Sequence, residues 1–117
     1  MNDIAQQDQV FETVSELFSL LSTPIRLKII SAVCEREKNV SELLAEIDTT
    51  QPNMSQHLST LYRAGVLSKR REGVQVYYKL QSERVATLCR AVCSQVAMEL
   101  GSDTPVPRSE RLTPAGR

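Results

Sequence analysis

The strongest constraint on this chain is a change of hydrophobic period at one glycine. Before Gly65, the residues Met54, Leu58 and Leu61 recur at i, i+4 and i+7, the spacing of a helix with one narrow apolar face. After it, Val76, Tyr78 and Leu80 alternate with Gln75, Tyr77 and Lys79, the period of a strand. A helix from Thr50 to Arg63, stopped by a glycine at its C′ position, must therefore feed straight into a hairpin. The strands are expected at 66–71 and 74–80, with the turn at Glu72 and Gly73. Thr50 supplies the N-cap, and Pro52 sits in the first turn, where a missing N–H costs nothing. A hairpin this small is unstable alone, so it must lean on the helices.

The opposite face of that helix carries Gln51, Asn53, Ser55, Gln56, Ser59, Thr60 and Arg63. These are short donors and acceptors suited to base edges, with one cation for phosphate. A surface that is merely solvated is more often filled with Glu and Lys. Thr50 and His57 complete the candidate DNA-reading set on this helix. In the hairpin, Lys69, Arg70 and Arg71, with the turn as far as Gln75, project as a basic clamp for the DNA backbone. Upstream, Asn39 followed by Glu42 reads as a capping box, and Leu43, Leu44 and Ile47 give a short helix its apolar side. Asp48 and Thr49 turn into the longer helix, which makes the pair a helix-turn-helix. His57 is the chain's one histidine. It is assigned to packing or phosphate contact, because a single imidazole cannot build a metal site.

Four motifs occur in order: RLKII from Arg26, VSELL from Val40, QPNMSQHLSTLYRAGVL from Gln51 and REGVQVYYKL from Arg71. In content and spacing the run resembles the ArsR/SmtB family of bacterial repressors, and the likeness extends over about Val10 to Leu100. The resemblance implies a winged helix-turn-helix homodimer that releases operator DNA when an effector binds or a thiol is modified. The expected fold class is mainly α with a small β-hairpin wing.

The chain has 117 residues, enough for one domain with a modest core. That domain is expected over 9–100, between a flexible N-terminus at 1–8 and a Pro-, Ser- and charge-rich tail at 101–117 expected to be disordered. Lys plus Arg total 14 and Asp plus Glu total 14, so the net charge of zero argues against indiscriminate polyanion binding. The apolar runs are too short to cross a bilayer and the N-terminus lacks a signal peptide's pattern, so a cytoplasmic protein without membrane contact is expected. There is no Ser/His/Asp set and no phosphate-cradling glycine loop, so the chain is not read as an enzyme.

Val10, Val14, Leu17, Phe18 and Leu21 predict a first amphipathic helix from Gln9. Thr23 caps a second, with Pro24 at its first position and Leu27, Ile30, Val33 and Cys34 along one stripe. Val85, Leu88, Cys89, Val92, Val96 and Leu100 stripe a last helix, Ser82 to Leu100. The first and last helices offer more apolar surface than one small domain needs, which favours a homodimer through these two elements. A two-fold axis would then place two recognition helices in successive major grooves about 34 Å apart, so the expected partner is a palindromic double-stranded operator. If Arg63, Lys69, Arg70 and Arg71 each contact phosphate, the dimer makes about eight contacts and log K falls with log salt at a slope of about −7.

Sensing chemistry can reside in Cys34, Cys89 and Cys93. Cys89 and Cys93 lie one turn apart on the same side of the last helix. Their Cα atoms are about 6 Å apart in an ideal helix, where sharing an ion is easier than bonding directly. If the last helix packs across Cys34, two or three thiolates could take a thiophilic ion such as arsenite, antimonite or cadmium; no resident cofactor is required. Disulfide or polysulfide formation is a second reading, and small apolar filler a third. The segment SELLAEIDTT lacks the Cys-x-Cys pair of metal-binding family members, and the last helix lacks the histidine of zinc and nickel sensors. The sulfur-responsive members place their second-helix cysteine about one turn earlier, where this chain has Ser31. Two other functions stay open: a repressor with no effector, and a dimeric protein-interaction module that has lost DNA binding.

Overall fold

The computed structural model describes residues 3–101. Its elements follow in the order α1 (Asp3–Leu20), α2 (Pro24–Val33), β1 (Lys38–Asn39), α3 (Val40–Glu46), α4 (Gln51–Arg63), β2 (Leu67–Glu72), β3 (Gln75–Leu80) and α5 (Glu83–Glu99). The helix-turn-helix and the wing fall where the change of period puts them, and the architecture is a winged helix.

Local chemistry sets these boundaries. Orphan N–H groups at the start of α2, α4 and α5 are met by the side chains of Thr23, Thr50 and Ser82, which accept from Arg26, Asn53 and Val85 at 3.1, 3.2 and 3.2 Å. Asn39 and Glu42 form the reciprocal capping box of α3, with both bonds at 2.9 Å. The end of α4 is a Schellman turn, in which the Gly65 N–H donates to the Tyr62 carbonyl and the Val66 N–H to the Leu61 carbonyl. Gly65 supplies the positive φ of +81° that this turn requires. The accompanying contact is apolar: Leu61 and Val66 are both buried, so the turn that ends the helix also anchors the wing.

The sheet runs β1-β3-β2, antiparallel throughout. Its two-residue first strand has no counterpart in the sequence reading, because a pair of residues carries no periodicity. Asn39 closes the sheet against Tyr77 while capping α3, so the wing is tied to the helix-turn-helix from both ends. Glu72 pairs with Gln75, leaving Gly73 and Val74 as the loop. The turn is thus one residue later than expected. The reason is that Gly73, at φ +63°, takes the first loop position, as a type II′ hairpin demands.

Ile29, Ile30 and Val33 of α2 pack with Leu43 of α3, with Met54, Leu58 and Leu61 of α4, and with Leu67 of β2 in one core. Val85 and Cys89 bring α5 onto it. By contrast, α1 buries no residue, and Phe11 and Phe18 are 69% and 56% exposed. α1 begins at Asp3, earlier than the Gln9 boundary, so residues 3–8 are helical. Their polar composition hides them from an apolar-stripe criterion. α2 stops at Val33, which leaves Cys34 as its C-cap. The expected disordered tail lies, after Gly101, outside the described residues, as do residues 1 and 2.

Candidate nucleic-acid interface

With Met54, Leu58 and Leu61 facing the core, α4 turns Gln51, Asn53, Ser55, Gln56 and Arg63 outward, and all five are exposed. Ser59 and Thr60 are half-buried. The Thr60 hydroxyl donates back to the Gln56 carbonyl at 3.0 Å, while Ser59 Oγ accepts from Arg63 Nη1 at 2.8 Å. Thr50 is occupied as the N-cap, and Asn53 Nδ2 donates to Thr49 Oγ1 at 2.8 Å. These contacts fix rotamers at the start and end of the polar face. Gln51 and Gln75 line one groove between α3 and the wing, together with Val40, Ser41 and Leu44 of α3 and Val74 at the wing tip.

Strand alternation splits the basic run. Lys69 and Arg71 share the face of Leu67, and the Lys69 ammonium sits 4.3 Å from the Tyr62 ring centroid, which fastens the wing to α4. Arg70 points to the other face. There its guanidinium donates to both carboxylate oxygens of Glu37, Nε to Oε1 at 3.1 Å and Nη2 to Oε2 at 2.6 Å, and to Glu72 at 2.7 Å. It also stacks on Tyr77 at 4.9 Å. Hydrogen bonding from Arg70 holds the Glu37 carboxyl below its ordinary range, and the two carboxylates raise the guanidinium in return. Lys69 and Arg71 share a face, whereas Arg70 is committed to the protein.

His57 lies at the border between the apolar and polar faces of α4 and is half-buried. Its Nδ1 accepts from Arg26 Nε at 3.1 Å, and Arg26 Nη1 donates to the Leu20 carbonyl at 3.0 Å. Burial first, and then the Arg26 charge, lower the imidazole pKa. Arg26, Glu37 and Tyr62 are thus parts of the site that sequence reasoning missed. No periodic signal marks them; each is defined by a contact with another element.

Cys34 is half-buried, and its Sγ donates to the Ser31 carbonyl at 3.2 Å. Cys89 is buried in the core and Cys93 is half-buried beside it on α5. Among the described residues no group of three or more His, Cys, Asp or Glu is placed to hold a metal ion. Cys34 caps the end of α2 and turns back along it, while the other two belong to α5.

A family model described as "Bacterial regulatory protein, arsR family" matches residues 23–69, the segment from the α2 cap to the middle of β2. The biofilm growth-associated repressor of Agrobacterium fabrum is 37% identical over 79 residues, 68% of each chain. The chain belongs to the ArsR family. Another relative, a probable mercury resistance operon repressor of Streptomyces lividans, is 31% identical over 99 residues, covering 82% of this chain and 79% of that one. Among solved structures, the homodimeric winged helix-turn-helix DNA-binding domain Mb0332 of Mycobacterium bovis superposes with a TM-score of 0.65 at 27% identity, over 80% of this chain and 85% of that one. As an ArsR/SmtB member this chain is a DNA-binding transcriptional regulator of the repressor class with a winged helix-turn-helix. No helix among the described residues is long and apolar enough to cross a membrane.

Proposed function

We propose that this ArsR-type repressor binds a palindromic operator as a homodimer, reads it with α4, and is released by chemistry at its cysteines. The observation that carries the DNA-reading part is the uncovered polar face of α4: Gln51, Asn53, Ser55 and Gln56 stand exposed beside a wing that is fastened at both ends. Arg63, Lys69 and Arg71 are the phosphate contacts, and Gln75 lies with Gln51 at the rim of the same groove. Because Arg70 is held by Glu37 and Glu72, the dimer makes about six such contacts rather than eight, and the salt slope becomes about −5.

Dimerisation uses the apolar surface that one chain leaves open: Phe11 and Phe18 on α1, and Val92, Val96 and Leu100 on α5. Several large apolar side chains left exposed on two helices are the kind of surface that a partner copy covers. The homodimeric state of the Mb0332 domain supports this reading.

For release, Cys93 is within reach of solvent and stands one helical turn from Cys89 on the helix that carries the open apolar surface. A thiophilic metal(loid) such as arsenite bridging the two sulfurs, or a reactive sulfur species or oxidant modifying Cys34, Cys89 or Cys93, would bias the geometry of α5 and hence of the dimer. To act on the operator it must favour one dimer arrangement by about 1–3 kcal/mol. The mercury-operon relative supports a soft-ion effector. Burial of Cys89 in the core supports the other reading, in which the cysteines are packing residues and the repressor has no effector.

Fluorescence anisotropy with a duplex taken from upstream of the protein's own reading frame tests both parts. Salt-sensitive binding is expected, lost on treatment with arsenite or polysulfide and retained in Cys89→Ser/Cys93→Ser. Mass spectrometry of the treated protein identifies the adduct and the cysteine that carries it. Unchanged release in the double variant would leave no sensing role for this pair.

A further inference from the structure

Arg26 makes a contact between elements that the DNA-reading account does not use. Its guanidinium stands between the end of α1 and the recognition helix, donating through Nη1 to the Leu20 carbonyl at 3.0 Å and through Nε to His57 Nδ1 at 3.1 Å. The two bonds leave different nitrogens of one rigid, planar group, so the position of α4 at His57 is referred to the last turn of α1. We propose that Arg26 is a positioning residue for operator binding, which holds His57 as the neutral Nε2–H tautomer and so makes it a fixed N–H donor to DNA on the recognition helix.

The tautomer follows from the donor inventory. A guanidinium only donates, so the nitrogen facing it must carry a lone pair. With Nδ1 accepting, the proton of a neutral imidazole resides on Nε2. An imidazolium has no lone pair to offer, so protonation would break the bond to Arg26 and set two cations together. The lowered imidazole pKa, from burial first and then from Arg26, agrees with this geometry.

Place on the helix supplies the rest. His57 lies one turn after Asn53 and one turn before Leu61, between the exposed polar face and the buried one. One edge of the ring faces the inner scaffold through Arg26, which leaves the other nitrogen as the donor. α1 also carries the exposed Phe11 and Phe18 assigned above to the dimer interface. Arg26 therefore links the end of the dimerising helix to the DNA-reading one. The proposal rests on the reading of α4 as the DNA-contacting element, but half of its test needs no DNA.

That half is nuclear magnetic resonance of the imidazole nitrogens in the full chain, where a single histidine makes assignment immediate. The wild type should show the Nε2–H tautomer and titrate below the ordinary value. Arg26→Met should show mixed tautomers and titrate closer to it. The other half is affinity for the upstream duplex. Gln can accept and donate from one planar amide, so His57→Gln should bind within about threefold of wild type. His57→Leu, which leaves a half-buried guanidinium without its acceptor, should lose about tenfold or more.

An Nδ1–H tautomer, or a titration unmoved in Arg26→Met, overturns the tautomer assignment whether or not DNA binds. Equal DNA binding by His57→Leu and wild type overturns the positioning role. A wild type with the Nε2–H tautomer that binds no duplex overturns the DNA-reading account and the positioning role built on it, leaving the Arg26–His57 bond itself established. Circular dichroism on His57→Leu and His57→Gln separates loss of fold from loss of the contact, because a His57→Leu variant with the wild-type spectrum that binds weakly has kept the fold.

Discussion

Arg70 in the wing and Glu37 in the link after α2 form a two-point ion pair, with Nη2 to Oε2 at 2.6 Å and Nε to Oε1 at 3.1 Å. The pair joins residues on separate elements, and it engages the cation in the middle of the basic run. If Lys69 and Arg71 face phosphate and Arg70 does not, neutralising each should act differently on the salt dependence. Lys69→Gln and Arg71→Gln should each lower the slope of log K against log salt by about two in a dimer, one contact per subunit. Arg70→Gln should leave the slope unchanged while weakening binding through a looser wing. Anisotropy titrations across a salt series check this, and a reduced slope in Arg70→Gln would return Arg70 to the phosphate contacts.

The wing turn offers a second check. Gly73 adopts φ +63° and an added Cβ would meet nothing within 4 Å, so any cost of substitution is one of backbone conformation, not of space. Gly73→Val should destabilise the chain by about 1–2 kcal/mol in urea unfolding, since a β-branched residue is strained at positive φ. A neutral result would mean that the hairpin changes turn type without penalty.

Acidification should weaken the fold through His57. Its folded pKa is lowered while the unfolded chain keeps the ordinary value of about 6.5, so between the two values the unfolded state binds more protons. This stabilising component is complete above about pH 6.5 and is lost as pH falls from there to the folded pKa of His57, below which it stays lost. Thermal unfolding from pH 7.5 down to 5 should therefore show a drop in Tm that His57→Gln lacks. Parallel Tm profiles for the two proteins would contradict it.

Because Phe11 and Phe18 are exposed, and Leu17 and Leu20 are the α1 residues that lean on the core, the two aromatics can be changed without opening it. Phe11→Glu/Phe18→Glu should keep the circular dichroism of the wild type but run as a monomer in sedimentation, with operator affinity reduced by orders of magnitude. A double variant that remains dimeric would place the interface elsewhere.

Much of this fold is legible in the sequence because α4 and the wing are specified locally. Met54, Leu58 and Leu61 set the helix face, Gly65 stops it, and the alternation from Gln75 to Leu80 sets the strand. The Asn39–Glu42 box and the Thr23, Thr50 and Ser82 caps are likewise written in short-range residue types. What was not legible depends on contacts distant along the chain. Arg70 reads as one more cation until Glu37 is seen beside it, and nothing local pairs Arg26 with His57. The two residues of β1 are too few to show a period, and the polar start of α1 shows no stripe.

The central claim is that two copies of α4 occupy neighbouring grooves on one side of a duplex. Hydroxyl-radical footprinting of the full-length protein on its own upstream region tests this most directly. The account predicts two symmetric protected patches with centres about 10 base pairs apart on a palindrome, flanked by weaker protection from the wings. A single asymmetric patch, or no protection at protein concentrations where the chain is dimeric, would contradict it.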